Sequence, residues 1–210
     1  MTLYRDVTDK PWNTVGLPDG IDPKPTFQAP NEKVALIVFV IVASVLFSLL
    51  TVSYYLRILW GGGDWVPIAE PAMLWVNTGV LIAASIMFHL ALIQGRRQTS
   101  VRFPSAAALS SLTGGILTLL FIIGQNAVWQ TLVQSGLTLQ SNPANSFFYL
   151  LTGVHILHLI GGLWVWSRAQ LRMMRKNDIE QTRLSLELCA WYWHFLLLVW
   201  FGLFYVLSTT

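Results

Sequence analysis

Residues 146–162 read SFFYLLTGVHILHLIGG, a strongly apolar sequence. Two histidines, His155 and His158, stand about one helical turn apart in an otherwise apolar run. A helix needs about 20 apolar residues to cross a hydrocarbon core of about 30 Å. The stretch therefore predicts a membrane-spanning helix whose two imidazole rings face protein rather than lipid.

The composition of the whole chain extends this prediction to an integral membrane protein. Of its 210 residues, 54% are hydrophobic and 11% are charged, whereas about 25% are charged in soluble domains. Five apolar runs are long enough to span a bilayer, and the short loops between them favour one antiparallel, all-α bundle. The runs are Val34 to Leu59, Met73 to Ile93, Ala106 to Val133, Phe147 to Trp166 and Leu186 to Leu207.

The distribution of charge predicts the orientation of the bundle. If the five helices are threaded in order, every lysine and arginine except Arg57 falls on the side of the N-terminus. The positive-inside rule then places the N-terminus in the cytoplasm and the C-terminus outside. Residues 1–33 are predicted to be an extended cytoplasmic tail without a signal peptide, and residues 34–210 the transmembrane domain. Lipid headgroups are the expected anionic contacts of the basic residues, and no nucleic-acid binding is expected.

The sequence offers little for catalysis. Cys189 is the single cysteine, so the chain has neither an internal disulfide nor a two-cysteine metal site. No GxSxG turn or HExxH motif is present. We therefore expect no catalytic, cofactor-binding or metal-binding residue in this chain.

Polar side chains within the spans indicate which helix faces are buried, because such residues avoid lipid. The fifth span carries Glu187, Trp191 and His194 in register, with Glu187 predicted in the first helical turn. Trp191, Trp193 and Trp200 are expected to pack against neighbouring helices. Three further faces are predicted: Asn77, Thr78, Ser85 and His89 in the second span; Ser111, Gly115, Thr118, Ile122, Gln125 and Trp129 in the third; and Phe148, Thr152, His155, His158 and Gly162 in the fourth.

The histidines admit four interpretations. They can form a metal site with Glu187, His89 or His194, His155 and His194 can ligate a haem, or histidines and Glu187 can relay protons. The fourth interpretation, which we favour, is that neutral histidines form hydrogen bonds across helices and fix packing or hold a lipid.

Residues 146–162 also resemble the paired-histidine segment of subunit III of the haem-copper oxidases, which include the cytochrome c and quinol oxidases. Residues 187–200, ELCAWYWHFLLLVW, resemble the last helix of that family. Weaker similarity covers residues 74–83 and Gly124, Gln125 and Trp129. In order, the resemblance spans about Val34 to Leu207 and corresponds to the five-helix bacterial form.

The resemblance implies a non-catalytic subunit that packs against oxidase subunit I, with subunit II in the same complex. Haem and copper then belong to the partner subunits, while this chain binds phospholipid and supports aerobic respiratory electron transfer and proton pumping in the bacterial inner membrane. By residue match, the structural or lipid-binding candidates are Gln125, His155, His158, Glu187, Trp193 and His194.

Three departures from the family are informative. Ser44, Val128 and Leu197 stand where the family commonly has carboxylates inside the membrane. A role in proton transfer that depends on those carboxylates is therefore not expected here. An apolar replacement avoids the cost of an unpaired buried charge, which agrees with a scaffold.

Other functions remain open from the sequence. One is an accessory subunit of a nitric-oxide-reductase-like complex, and another is a small proton channel or transporter that uses the histidines and Glu187. A membrane enzyme with a metal at the histidines is a further alternative.

Overall fold

Five long helices account for nearly all of the chain that this computed structural model describes, namely residues 30–61, 63, 65, 66, 72–97, 104–175 and 179–209. They are α1 (Asn31–Trp60), α2 (Met73–Arg97), α3 (Ala106–Gln134), α4 (Pro143–Arg175) and α5 (Ile179–Thr209). Each is long and apolar enough to cross a membrane, and the described residues contain no strand. The prediction of an all-α fold with five spans is confirmed.

The helices are longer than the apolar runs that predicted them. α4 begins at Pro143 and ends at Arg175, so it extends past both ends of its run. The α-helical hydrogen-bond pattern needs no apolar side chains, so a helix continues through polar flanks into the interfacial region. The placement of Glu187 in the first turn of the fifth helix was wrong, because α5 begins at Ile179 and its first-turn acid is Glu180.

Local signals account for the helix ends. Ser105 caps α3, where its side chain accepts from the backbone N–H of Ala108. Asn142 performs the same role before α4, accepting from the N–H of Ala144, while Pro143 occupies the first helical position, where no N–H is needed. At the C-terminal end of α1, the Arg57 side chain donates to the carbonyl oxygen of Gly61 at 2.8 Å.

The core of the bundle lies between α2, α3, α4 and α5. Backbone contacts join α2 to α3, α2 to α5, α4 to α5 and α3 to α4. The core contains large side chains that are almost completely buried, including Leu81, Phe88, Phe121, Trp193 and Trp200. The stripe predicted on α3 lies on its inner side, since Ser111, Gly115, Thr118 and Gln125 are buried and Ile122 and Trp129 are partly buried.

α1 packs on the bundle differently, through aromatic rings. Its buried residues are Ala43, Phe47 and Tyr54. The Phe47 ring lies 5.1 Å from the His158 ring of α4, and the Tyr54 ring lies 5.5 Å from that of Phe147. Most of the α1 surface is exposed, so it is available to lipid or to another chain.

The predicted tail, residues 1–33, lies mostly outside the described residues, and α1 already begins at Asn31. The cytoplasmic orientation of the N-terminus and the external orientation of the C-terminus stay predictions.

Candidate functional site: the polar groups inside the bundle

Four tryptophans form hydrogen bonds from one helix to the next. In each, the indole N–H donates to the hydroxyl of a threonine or serine on a neighbouring helix, at 2.8 to 3.1 Å. The pairs are Trp129 with Thr152, Trp166 with Ser111, Trp193 with Thr118, and Trp200 with Thr78. The bonds connect α3 with α4 twice, α5 with α3, and α5 with α2.

The three threonines use both functions of the hydroxyl. Thr78, Thr118 and Thr152 each donate to the carbonyl oxygen one turn earlier in their own helix, at 2.6 to 2.9 Å. The oxygen lone pairs therefore remain available to accept the indole N–H. A buried polar pair that is satisfied in this way fixes the rotation and depth of one helix against another at little desolvation cost.

The sequence predicted inner faces for the four hydroxyl residues and Trp129, but it did not predict the pairing. A tryptophan near the end of a span is often an interfacial anchor, but Trp129 and Trp166 are partly buried donors between helices. Trp193 and Trp200 are buried, as predicted, whereas Trp191 is 64% exposed and the prediction that it packs inside was wrong. The signal available was chemical, because a buried indole N–H requires an acceptor.

The two histidines of α4 point into different surroundings. His155 is fully buried, with its ring 5.2 Å from that of Trp200 and 6.1 Å from that of Phe121. Neither of its ring nitrogens has a hydrogen-bond partner in the described part of the chain. The His158 ring faces α1 and its Nδ1 bonds to the carbonyl oxygen of Val154 at 2.8 Å.

This geometry corrects the expectation that the α4 histidines bond across helices, because neither does so within the described residues. Three residue positions rotate a helix by about 300°, so the two rings leave the axis about 60° apart. His155 therefore faces the interior of the bundle and His158 faces the boundary with α1.

His194 lies on a third surface. Its Nδ1 is 2.6 Å from Oγ of Ser85, and its Nε2 is 3.2 Å from Nδ1 of His89, so both of its partners belong to α2. Within the described residues, His194 makes no hydrogen bond to His155 or His158. The haem interpretation that paired His155 with His194 loses its geometric support, because His155 lies inside the bundle and both rings of the His89–His194 pair are exposed.

Gln125 is also completely buried, and it joins α3 to α2. Its Oε1 accepts from Nδ2 of Asn77 at 3.3 Å, and Asn77 donates further to the carbonyl oxygen of Phe121 at 3.4 Å. Gly124 makes this approach feasible, because a Cβ at that position would overlap the Asn77 amide. Nε2 of Gln125 has no partner among the described groups.

The glycines of α4 differ from one another. A Cβ at Gly162 would overlap the ring of Tyr192, whose hydroxyl donates to the carbonyl oxygen of His158 at 2.9 Å. A Cβ at Gly161 would meet open space. Gly162 therefore accommodates a ring from α5.

Two further observations concern metal and carboxylate sites. The described residues contain no group of three or more His, Cys, Asp or Glu side chains arranged as ligands.

Val128 is completely buried, and Ser44 bonds to the carbonyl oxygen of Val40 in its own helix. Glu187 is partly buried on α5.

Comparison with known proteins identifies the family. Residues 29–209 match the family described as Cytochrome c oxidase subunit III. A probable cytochrome c oxidase subunit 3 of Mycobacterium leprae is 30% identical over 165 residues, which are 77% of this chain and 79% of the relative. One from Nocardia farcinica is 28% identical over 163 residues, or 75% and 77% of the two chains. The cytochrome c oxidase subunit 3 of the fish Tetraodon nigroviridis is 27% identical over 68% of this chain and 54% of its own.

Proposed function

The chain belongs to the cytochrome c oxidase subunit III family, and from that premise we propose that it is a scaffold packed against the catalytic subunit I of a bacterial terminal oxidase. It is a multi-pass membrane protein of the respiratory chain. In this proposal, haem and copper lie in subunits I and II. This chain supports electron transfer and proton pumping by holding the assembly together in the inner membrane.

The main support for the proposal comes from the hydrogen bonds of the polar groups inside the bundle. The four tryptophan–hydroxyl bonds each connect two helices of this chain. Their hydroxyls are occupied by an indole and, for the threonines, also by a backbone carbonyl. Groups committed in this way stabilise a rigid bundle and are poorly placed to shuttle protons.

Gln125, His155 and Trp193 support the packing role among the residues matched to the family. All three are completely or almost completely buried. A lipid contacts the outer surface of a bundle, so buried side chains of this kind hold helices together. His158 is partly buried at the aromatic boundary between α1 and α4, which offers a surface to a phospholipid chain.

The buried Val128 and the backbone-bonded Ser44 also favour a scaffold over a proton path. A path through apolar protein needs titratable groups or water at hydrogen-bond spacing. At these two family carboxylate positions, the chain has an alkyl group and a hydroxyl that is bonded to its own helix.

The test is purification of the native assembly through an affinity tag on this chain, in a mild detergent, followed by an absorption spectrum. We expect a larger haem-containing subunit to co-purify in equal amount. Recovery of this chain without any haem-containing partner would overturn the proposal. Proton conduction by the isolated chain in liposomes would instead support the channel alternative.

A further inference from the structure

His89 and His194 form an exposed polar pair within the membrane span. Both rings are exposed, whereas His155 is buried and His158 is partly buried. His89 lies about 12 Å along α2 from the basic end at Arg97, given a rise of 1.5 Å per residue. Because the hydrocarbon core is about 30 Å thick, this position lies among acyl chains and not among headgroups. A polar ring exposed there is costly unless a protein covers it.

The direction of the hydrogen bonds follows from Ser85. Ser85 is buried, and its hydroxyl has one recorded partner, Nδ1 of His194, at 2.6 Å. The hydroxyl hydrogen needs an acceptor, and Ser85 has no bond to a backbone carbonyl in the described structure, unlike Thr78, Thr118 and Thr152. Ser85 therefore donates to Nδ1 of His194, which places the ring hydrogen of His194 on Nε2.

The same reasoning assigns the tautomer of His89. Nε2–H of His194 donates to Nδ1 of His89 at 3.2 Å. A neutral imidazole whose Nδ1 accepts has its hydrogen on Nε2. Nε2 of His89 has no partner in the described residues. Its N–H is the last donor of a hydrogen-bonded series that runs from Ser85 through His194 to His89, and each bond in such a series strengthens the next.

We propose that the seam between α2 and α5 around His89 and His194 is the docking face for a transmembrane helix of the catalytic subunit, and that this helix presents a hydrogen-bond acceptor to Nε2 of His89. The acceptor is a carboxylate, hydroxyl, amide or carbonyl oxygen. This inference rests on the proposed function, since it assigns that partner to one face of the bundle.

The faces of α3 and α4 provide a comparison. Leu198 and Ile86 flank the pair on the seam and are 70% and 51% exposed. Leu157 on α4 and Ile123 on α3 are 65% and 64% exposed. An apolar side chain of that kind is satisfied by lipid, so its exposure requires no partner. The hydrogen-bond donor of His89 distinguishes the seam from these faces.

Photo-crosslinking within the native assembly tests the docking face. Benzoylphenylalanine is placed at Leu198 or Ile86, with Leu157 and Ile123 as controls of similar exposure. We expect the haem-containing subunit to be cross-linked from the two seam positions and from neither control. Cross-linking of that subunit from the controls alone, or labelling of lipid alone at the seam, would overturn the docking face. Neither of these results would contradict the proposed function as long as a haem-containing subunit co-purifies with the chain. A wild-type preparation without a haem-containing partner would overturn both the docking face and the proposed function.

Substitution of His89 tests the donor itself. H89F keeps a ring of similar size and removes the N–H, whereas H89Q retains a donor. If a partner accepts from His89, H89F shortens retention of the haem-containing subunit during detergent dilution by about fivefold, and H89Q restores part of it. If the seam faces lipid, phenylalanine is the better side chain, and H89F leaves retention unchanged or increases it. That outcome would overturn the proposal.

Discussion

The indole nitrogen of Trp193 on α5 lies 2.8 Å from Oγ1 of Thr118 on α3, and the same Oγ1 donates to the carbonyl oxygen of Gly114 at 2.9 Å. Both side chains are buried. One hydroxyl thus bonds a helix to its own backbone and to a tryptophan of a neighbour, and Trp200 with Thr78 and Trp129 with Thr152 repeat the arrangement.

Trp193→Phe removes the donor and part of the ring volume. We expect it to reduce the stability of the bundle by about 1–3 kcal/mol, from the lost interhelical bond and incomplete packing. Thermal unfolding in detergent measures the effect. Trp164→Phe is the control, since Trp164 is 67% exposed, and equal losses in the two variants would contradict the assigned role of Trp193.

The adjacent glycines of α4 form a matched pair. Gly162→Ala places a methyl group against the Tyr192 ring and should disturb its bond to the carbonyl oxygen of His158, at a cost of about 1–3 kcal/mol. Gly161→Ala enters open space and should be neutral or stabilising by up to about 1 kcal/mol through helix propensity. The unfolding temperature should therefore fall for Gly162→Ala and stay the same or rise for Gly161→Ala, and destabilisation by Gly161→Ala alone would contradict this packing.

Two substitutions of His155 separate the effect of its polar ring nitrogens from the effect of its side-chain volume. His155→Ala leaves a cavity among Trp200, Phe121 and their neighbours, with an expected loss of about 2–4 kcal/mol. His155→Leu fills most of that space and removes two nitrogens that lack partners in the described structure. It should cost less than the alanine variant or nothing. Equal losses by thermal unfolding would indicate that a water molecule or another group bonds the imidazole.

Val128→Asp restores a carboxylate at one of the family positions. Val128 is completely buried. A charged aspartate there is therefore expected to destabilise the bundle by several kcal/mol, unless the carboxyl group stays protonated and uncharged. Yield and thermal stability of the purified assembly measure this, with the conservative variant Val128→Ile as control. A fully stable Val128→Asp variant would show that the site contains a partner for the charge.

The span count was predictable from the length of the apolar runs, and the inner faces from the helical spacing of the polar residues. Long apolar runs give the five helices, and the steps along α3 placed Ser111, Thr118 and Gln125 inside. The partners of His194 were not predictable, because the order of helices around a bundle is not contained in the spacing within any one helix. The start of α5 at Ile179 was missed because polar residues continue the helix beyond the apolar run.

The pairing of tryptophans with hydroxyls was missed for a related reason. An indole near the end of a span, such as Trp166, has the same sequence context whether it anchors at the interface or reaches Ser111 on another helix. Only the relative rotation and depth of the two helices distinguishes these cases.

Removal of this chain from the purified assembly tests whether it is a scaffold without a haem site. The chain is stripped by a stronger detergent, and the haem spectrum and the number of turnovers before inactivation are recorded for the remaining complex and for the intact one. A scaffold predicts an unchanged haem spectrum and a retained initial rate, with inactivation after fewer turnovers. Loss of haem absorption together with the stripped chain would contradict the claim, because it would place a haem site in this subunit.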